Sequence, residues 1–305
     1  MKKKFLIWVG SIIGILILGI GGYAYYVYSS VKDTANQMHE EVKLDTPHEK
    51  PEVGESKPPI SILLLGVDER AGDRGRSDTV IAMTLNPKRE NMQMVSIPRD
   101  TRTEIIGHGT TDKINHAYAF GGPKMAIETV ENFTGVKMDY YIRVNMEALN
   151  ALVDAVGGIT VHNDLDWIDE GYYKKGYHYA KGDIQLNGAQ ALGYVRMRHL
   201  DPNGDFGRNN RQRQIITAII DKAASISSVS RLNKILDALG DNVKTNMTFE
   251  EMIDIQKNYR ECRTNITQYE VKGTGGKTNG VYYLNVSDEE KTKVTNMLKD
   301  NLVAN

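Results

Sequence analysis

Arginine and aspartate are concentrated in two segments of this sequence, and both residue types occur in sites that bind phosphate groups. The first segment contains G-V-D-E-R at 66–70, R-G-R-S-D-T at 74–79 and I-P-R-D at 97–100. The second holds five arginines within 18 residues: Arg196, Arg198, Arg208, Arg211 and Arg213. Guanidinium groups bind phosphate oxygens in pairs, and aspartate supplies the hard oxygen ligands that Mg²⁺ prefers.

Asp68 and Asp78 with four or more arginines predict either metal-assisted phosphoryl transfer or a grip on a pyrophosphate group. The simpler interpretation is that the arginines form ordinary surface ion pairs. The whole chain carries 38 Lys and Arg against 39 Asp and Glu, a net charge of −1, so two dense arginine clusters are local features. The same balance disfavours bulk binding of nucleic acid. The single cysteine, Cys262, excludes an intramolecular disulfide.

The elements that position these residues follow from the hydrophobic pattern. Residues 60–67 predict a buried strand that ends at Asp68, and the apolar runs 79–85 and 92–97 predict a hairpin that ends just before Arg99. In an open sheet, ligands bind beyond the carboxyl ends of strands. Helices are predicted at 123–133, 146–155, 187–196, 209–226, 229–239, 248–258 and 287–301, and further strands near 139–144, 159–162, 268–272 and 281–286. The fold class is therefore α/β, or an α+β sandwich, with a central sheet flanked by helices.

The spacing of the second cluster places a condition on its helices. On one helix Arg196 and Arg198 would point about 200° apart, so both reach one ligand only if the helix beginning near Asn187 ends by about residue 196. In contrast, Arg208 lies on one helical face with Arg211 or Gln212, near a helix N-terminus whose amides favour an anion.

The N-terminal sixty residues predict a membrane anchor. Three lysines precede residues 5–28, of which 18 of 24 are apolar and none is charged. As a helix this segment spans about 36 Å, more than the roughly 30 Å of a hydrocarbon core. The alternative is a cleaved signal peptide, but the tyrosines at its end favour an aromatic belt at the membrane interface.

The positive-inside rule then gives the organisation of the chain. Residues 1–4 are predicted to be cytoplasmic, 5–28 to be the transmembrane signal anchor, 29–59 to be an extracytoplasmic linker and 60–305 to be the extracytoplasmic catalytic domain. The predicted location is the cell membrane, with single-pass type II topology.

Six strings together resemble the LytR-CpsA-Psr family of cell-wall phosphotransferases, in particular its teichoic acid transferase members. They are L-L-L-G-V-D-E-R (63–70), G-R-S-D-T (75–79), S-I-P-R-D-T (96–101), D-K-I-N-H-A-Y-A-F-G-G (112–122), A-L-G-Y-V-R-M-R-H (191–199) and D-F-G-R-N-N-R-Q-R (205–213). The similarity covers the anchor, the linker and the domain to about residue 225, and is less diagnostic beyond it.

The resemblance implies an enzyme that takes an anionic glycopolymer, with teichoic acid the expected one, from a polyisoprenyl-pyrophosphate carrier of the undecaprenyl type. The polymer is joined through a phosphodiester to the C6 hydroxyl of N-acetylmuramic acid in peptidoglycan. The implied partners are the lipid-linked polymer, the peptidoglycan acceptor and the lipid bilayer, and not nucleic acid. The resemblance also implies an apolar cleft for the isoprenoid tail. Two other functions stay open: a polyprenyl-pyrophosphate phosphatase, and a non-enzymatic sensor or regulator of wall polymer.

Carried across residue by residue, the resemblance implies that Asp68 and Asp78 bind Mg²⁺, or Mn²⁺ in its place. The expected pyrophosphate-binding residues are Arg76, Arg99, Arg196 and Arg198, with Arg208, Arg211 and Gln212 in a further matching stretch. Asp78 and Arg99 are the expected catalytic residues. Asp78 holds the metal or accepts the proton of the incoming hydroxyl, and Arg99 stabilises the transition state.

Histidines and tyrosines elsewhere carry weaker signals. His108, His116 and His199 lack a mutual metal-binding spacing and are expected to be loop or core residues. The tyrosines between 172 and 179 predict a half-buried hairpin, with stacking on sugar rings as the alternative.

Overall fold

The computed structural model describes residues 25–52, 54, 56–68, 75–224, 229–240 and 242–303. Its central sheet is built from six strands: β1 (Ile60–Val67), β2 (Ser77–Asn86), β3 (Asn91–Ser96), β6 (Tyr140–Asn145), β11 (Val243–Thr245) and β12 (Ile266–Glu270). The strand order is β11-β6-β1-β2-β3-β12. The β1–β6 and β3–β12 pairs are parallel and the other pairs antiparallel, so the sheet is mixed.

Helices pack against the sheet and beside it. They are α1 (residues 25–38), α2 (His116–Thr134), α3 (Met146–Ala155), α4 (Gly188–Arg196), α5 (Asp205–Ala224), α6 (Val229–Gly240), α7 (Phe249–Asn258) and α8 (Asp288–Asn301), with a 3₁₀ turn over Arg260–Thr264. Four two-stranded pieces complete the fold: β4 (Arg102–Ile105) with β5 (Thr110–Lys113), β7 (Ile159–Asn163) with β10 (Gly182–Leu186), β8 (Trp167–Ile168) with β9 (His178–Tyr179), and β13 (Thr274–Thr278) with β14 (Val281–Asn285).

Strand β1 is buried on both faces, which explains its continuous apolar sequence. Leu63 and Leu65 point toward α2 and α8, while Leu64 points toward the opposite layer, which contains α7 and part of α5. Two apolar cores therefore lie on opposite sides of one sheet. A third core lies beside them, where β7–β10 and the aromatic rings of Trp167, Tyr179 and Tyr194 pack between α3, α4 and α5.

The α+β architecture and the β2–β3 hairpin confirm the sequence interpretation. Helix α3 has the predicted bounds, and α4 ends at residue 196 as the arginine spacing requires. The predicted helix at 123–133 is the straight part of α2, whose first turns are separated from it by a kink at Gly121–Gly122. Gly122 has φ of 65° and ψ of −153°, a backbone conformation that favours glycine.

Several short elements were not predicted, and one helix begins early. The strands β4, β5 and β13 contain few apolar residues, so no alternating pattern marks them, and β8 has only two residues. The strand predicted near 281–286 is present as β14. Helix α5 begins at Asp205, four residues before the predicted start. The tyrosine-rich run leads into β9, where Tyr179 is buried against Trp167 with 4.7 Å between ring centroids. This agrees with the predicted half-buried hairpin.

The predicted membrane anchor lies almost entirely in residues 1–24, outside the described part of the chain. Among the residues that are described, none belongs to a helix long and apolar enough to span a bilayer. The described residues of the predicted linker, 29–59, are packed on the domain. Met38 is buried near Val243, and the Tyr141 hydroxyl donates to the Glu40 carboxylate at 2.7 Å. Farther along, Lys124 forms an ion pair with Asp45 at 2.7 Å.

Candidate active site

The site is built around a hydrogen bond between the beginning of β2 and the end of β3. Register in this hairpin pairs Ile81 with Ser96, so residues before the first and after the second lie at one edge of the sheet. Arg99 Nη1 donates to Asp78 Oδ1 at 3.1 Å. The Arg99 Nε atom also lies 3.7 Å from Asp100 Oδ2. The two expected catalytic residues are therefore in direct contact.

Asn115 is a third member of this group that the sequence interpretation did not identify. Its amide Nδ2 donates to Asp78 Oδ1 at 3.2 Å, and its backbone N–H donates to the Arg99 carbonyl at 3.3 Å. The residue is only 3% exposed, and its Oδ1 atom has no hydrogen-bond partner among the described residues. Its signal in the sequence was the asparagine of D-K-I-N-H, which is one of the strings that carried the family resemblance.

The second arginine cluster reaches the same place from the other side. Helix α4 ends at Arg196, and the extended backbone of Met197 (φ −58°, ψ 131°) directs the chain out of the helix. Arg198 Nη1 then lies 3.9 Å from Asp205 Oδ1, and Arg208 Nη2 lies 3.4 Å from the same oxygen. Arg99 Nη2 lies 3.8 Å from Asp205 Oδ2. Arginines from three separate stretches of the chain therefore surround one carboxylate.

Asp205 is thus the centre of the charged group, although the sequence interpretation gave it no role. Its contacts with Arg99, Arg198 and Arg208 are longer than good hydrogen bonds, and its Oδ1 atom is buried without a hydrogen-bond partner in the described structure. Each guanidinium therefore keeps donors available. The feature of the sequence that could have indicated Asp205 is its position, three residues before Arg208 at the beginning of a helix.

Burial and mutual repulsion shape the electrostatics of these arginines. Burial, together with the positive charge of Arg99, lowers the pKa of Arg208 below its ordinary value. Burial also lowers the pKa of Arg99, but the carboxylates of Asp78 and Asp205 more than compensate and raise it. Both side chains remain cationic at physiological pH. Like charges held close together in a partly buried site favour binding of an anion.

Arg211, predicted to bind pyrophosphate, has a different set of contacts. Its guanidinium forms a buried ion pair with Asp201 and donates to the Tyr194 carbonyl at 3.0 Å and to the carbonyl of Met197. The loop between α4 and α5 packs closely on the first turn of α5, where a Cβ on Gly207 would overlap the Asp201 carboxylate. Arg211 therefore fixes the loop that carries Arg198.

None of the described hydrogen bonds or ion pairs joins the side chain of Arg76 or Arg196, two further predicted residues, to this charged group. Arg76 and Arg196 are exposed, one just before β2 and the other at the end of α4. The Arg76 carbonyl accepts the backbone N–H groups of both Asp68 and Asp78, at 3.2 and 3.0 Å. That shared carbonyl holds the two metal-binding candidates on neighbouring stretches of backbone.

The donor set fits a hard divalent cation better than a soft one. Asp68 and Asp78 are carboxylates, and the buried Asn115 Oδ1 is an amide oxygen beside Asp78. Oxygen ligands suit Mg²⁺ or Mn²⁺, and Mg²⁺ commonly takes only one or two carboxylates and completes its shell with water and phosphate. No cluster of three or more His, Cys, Asp or Glu suited to a metal occurs in the described parts of the chain.

An apolar cleft begins beside the charged group. It has a volume of about 160 Å³, is partly open to solvent, and lies between β1, β6 and the helices α3 and α5. Thr79 and Gln212 line it; Thr79 follows Asp78, and Gln212 lies one helical turn after Arg208. The rest of its lining is mainly aliphatic: Leu64, Val144, Leu149, Leu152, Val195, Ile215, Ile216, Ile219 and Ile220. Gln212 thus faces the cleft where it approaches the arginines.

The sequence is similar to those of known teichoic acid transferases. The chain is 51% identical over 306 residues to the polyisoprenyl-teichoic acid–peptidoglycan teichoic acid transferase TagU of Bacillus anthracis (strain CDC 684 / NRRL 3495), covering 99% of both chains. It is 48% identical over 301 residues to TagU of Bacillus subtilis (strain 168), covering 99% of this chain and 97% of that one.

A solved structure also matches. The crystal structure of TagU from B. subtilis superposes with a TM-score of 0.66 at 47% identity, over 82% of this chain and 99% of that chain. The model of the LytR_cpsA_psr family matches residues 25–300. The protein described here is therefore a member of the LytR_cpsA_psr family.

Proposed function

We propose that this protein transfers teichoic acid from a polyisoprenyl-pyrophosphate carrier to peptidoglycan. One observation carries the proposal: Arg99, Arg198 and Arg208 converge beside Asp78 where an apolar cleft begins. A ligand that fits both parts has a diphosphate joined to a long hydrocarbon tail. The names of the similar Bacillus proteins support teichoic acid as the polymer and peptidoglycan as its acceptor.

The arrangement suits displacement at the phosphorus atom that carries the polymer. The acceptor hydroxyl oxygen, at C6 of N-acetylmuramic acid, forms a new bond to this phosphorus. The bond from phosphorus to the bridging oxygen breaks, and the lipid phosphate leaves with the electron pair. Asp78 accepts the hydroxyl proton directly or through water. The products are a phosphodiester and a polyisoprenyl monophosphate.

The arginines stabilise the negative charge that develops in this reaction. Arg99, which donates to Asp78, is proposed to contact the reacting phosphorus group. Arg198 and Arg208, which both lie near Asp205 Oδ1, are proposed to bind the lipid phosphate that leaves. Preorganised donors of this kind lower the barrier because they need no rearrangement as charge develops. Arg76 and Arg196 extend the positive surface around the site.

Mg²⁺, or Mn²⁺, is proposed to be held by Asp68 and Asp78, with Asn115 Oδ1 near the second carboxylate. When bound, such an ion neutralises phosphate charge and polarises the phosphorus centre. The carboxylates of Asp68 and Asp78 and the amide oxygen of Asn115 support this assignment.

We also propose that residues 5–28 anchor the chain in the cell membrane, with residues 1–4 in the cytoplasm and the catalytic domain outside. An undecaprenyl-type carrier resides in a bilayer, so an enzyme anchored there meets its donor in the same plane. The packing of residues 29–59 on the domain would then hold the cleft close to the membrane surface.

The test is an incubation of the full-length protein with a lipid-linked teichoic acid polymer, with and without peptidoglycan, in Mg²⁺ or in a chelator. We expect polymer attached to peptidoglycan, and release of lipid monophosphate, only when peptidoglycan is present. Release of lipid monophosphate without peptidoglycan would identify a phosphatase instead. Binding without any product would identify a sensor. Equal rates in Mg²⁺ and chelator would remove the proposed metal.

A further inference from the structure

An exposed aromatic surface lies beside the charged site, at the beginning of α2. The ring of Phe120 is 41% exposed and stacks on His108, with centroids 4.1 Å apart and planes inclined by 11°. His116 meets the same ring edge-on at 5.8 Å. We refer to Phe120, His108 and His116 as the aromatic platform. Large apolar side chains are usually buried, whereas the Phe120 ring is exposed and contacts two imidazoles.

Polar groups border the aromatic platform and are held in place. Asp112 accepts a hydrogen bond from the Tyr283 hydroxyl at 3.2 Å and lies 2.7 Å from His116 Nδ1. Burial raises the pKa of Asp112, but its hydrogen bonds, chiefly with His116, lower it overall, so the carboxylate is charged at neutral pH. Thr110 Oγ1 lies 2.8 Å from His108 Nδ1. An aromatic face with oriented polar groups at its edge suits a pyranose ring, which has one face of C–H groups and a rim of hydroxyls.

The aromatic platform is connected directly to the catalytic group. His116 follows Asn115, whose amide donates to Asp78, and Phe120 lies one turn, about 6 Å along the axis, beyond His116. Phe120 is therefore only five residues along the chain from Asn115, the residue that contacts Asp78.

The aromatic platform also lies on the side of the sheet away from the apolar cleft. Leu64 of β1 lines the cleft, whereas its neighbours Leu63 and Leu65 pack in the opposite core, together with Tyr118 from the same turn of α2 as the platform. Displacement at phosphorus places the attacking and leaving oxygens in line, on opposite sides of the phosphorus atom. If the lipid phosphate leaves toward the cleft, the acceptor hydroxyl must arrive from the side of α2.

From this geometry we infer that the aromatic platform is the acceptor subsite, where a sugar ring of the peptidoglycan glycan strand stacks on Phe120 and directs its neighbour's hydroxyl toward Asp78. The inference rests on the proposed function and deepens it. Phe120 and His108 bind and position the acceptor, and the lipid-linked donor is bound by other residues.

The test compares the full-length protein with Phe120→Ala, Phe120→Trp and His108→Ala. Initial rates are measured against peptidoglycan at saturating donor, and against donor at saturating peptidoglycan. We expect Phe120→Ala to raise KM for peptidoglycan by about three- to tenfold, the effect of one aromatic contact, and to leave KM for the donor within about twofold. Phe120→Trp should restore most of the acceptor affinity. Ile168→Ala, at a side chain 52% exposed in β8, is the matched control and should change neither constant.

Direct binding separates this inference from the proposed function. Soluble glycan-strand oligosaccharides are titrated into each variant, with folding checked by thermal melting. Weaker binding to Phe120→Ala than to the wild type supports the subsite even if the wild type transfers no polymer. Unchanged oligosaccharide affinity and unchanged KM for peptidoglycan in a folded Phe120→Ala protein would overturn the inference. A rise in donor KM equal to the rise in acceptor KM would overturn it as well.

Discussion

Arg99 and Asp78 are hydrogen-bonded at 3.1 Å across the open end of a β-hairpin, although they are 21 positions apart in the sequence. Neither side chain is fully buried, with exposures of 20% and 23%, so a ligand has access to both. The pair connects the carboxylate that is proposed to hold a metal ion or a proton to the guanidinium that is proposed to stabilise phosphate charge. The central consequence concerns Arg99.

We expect Arg99→Ala to retain binding of the lipid-linked donor and to lose polymer transfer by about a hundredfold or more, because a preorganised cation at the reacting phosphorus is removed. Arg99→Lys should recover only part of the rate, since an ammonium group cannot bind two oxygens in the same plane. Arg260→Ala changes a guanidinium that is 57% exposed and paired with Glu261, and serves as the control. Turnover by Arg99→Ala equal to that of the control would remove Arg99 from the mechanism.

The Asp205→Asn variant tests whether the Asp205 carboxylate offsets the positive charges of Arg99, Arg198 and Arg208. Loss of its charge leaves Arg99, Arg198 and Arg208 to repel one another, so the free energy of unfolding should fall by about 1–2 kcal/mol, between the values typical of exposed and buried pairs. Inorganic pyrophosphate should raise Tm more for this variant than for the wild type, because the anion replaces the missing charge. Asp288→Asn, at a fully exposed aspartate, is the control. An identical pyrophosphate response in variant and wild type would contradict this role.

Arg211 is expected to act on stability. Its buried ion pair with Asp201 and its bonds to the carbonyls of Tyr194 and Met197 fix the loop before α5. Arg211→Met should therefore lower the free energy of unfolding by about 3–5 kcal/mol, since Asp201 is left as an unpaired buried charge. Denaturant unfolding measures this. The double variant Arg211→Met with Asp201→Leu should recover part of the loss, whereas a fully stable single variant that fails only to bind donor would show that Arg211 contacts the ligand.

The apolar cleft is tested by placing a charge within it. Ile219→Asp should raise KM for a donor with a long isoprenoid tail by about tenfold or more, because the tail would then contact a charged group. A donor with a truncated tail should lose much less. Ile253→Asp, at an exposed isoleucine of α7, is the matched control. Equal losses for the long and short tails would show that the cleft does not hold the tail.

The hydrogen bonds accepted by Asp169 predict that the stability of the protein depends on pH. Burial raises the pKa of its carboxyl, but four backbone N–H bonds from residues 171–174, at 2.7 to 3.2 Å, lower it overall below the ordinary value. The folded protein therefore binds this proton less readily than the unfolded chain. The contribution is complete above the unfolded pKa of about 4, and is lost as the pH falls through the lower folded pKa.

The measurement for Asp169 is urea unfolding at pH 7 and at pH 3. Asp169→Asn should lower stability by about 2–3 kcal/mol at pH 7, because two or more buried N–H groups lose their acceptor, and should lose less on acidification than the wild type. The exposed Asp164→Asn variant is the control. An unchanged difference between the two pH values in Asp169→Asn would contradict the assignment.

Local patterns predicted the main elements of this fold because apolar periodicity marks buried strands and helices directly. The strand at Ile60–Val67 and the helix at Met146–Ala155 were recovered with their bounds. The short hairpin at Arg102–Lys113 was not, because its strands bury few apolar residues and its position depends on packing against α2 and β14.

The same distinction applies to the site. Residue type and spacing predicted Arg99, Asp78 and Arg198, which the structure brings into one charged group. They did not identify Asn115 or Asp205, whose importance lies in contacts with residues distant in the sequence. Sequence spacing also placed Arg208 and Arg211 on one helical face. In the structure Arg208 belongs to the charged group around Asp205, whereas Arg211 forms an ion pair with Asp201.

The most direct test of the account compares the affinity of the full-length protein for polyisoprenyl diphosphate and for polyisoprenyl monophosphate with the same tail. If Arg99, Arg198 and Arg208 bind a diphosphate together, the wild type should bind the diphosphate at least about tenfold more tightly, the value of one additional charge-assisted contact. Arg198→Ala and Arg208→Ala should each weaken the binding of both lipids, because these two arginines are assigned to the phosphate that the lipids share. Equal affinity of the wild type for the two lipids, or unchanged affinity of both variants for the monophosphate, would contradict the account.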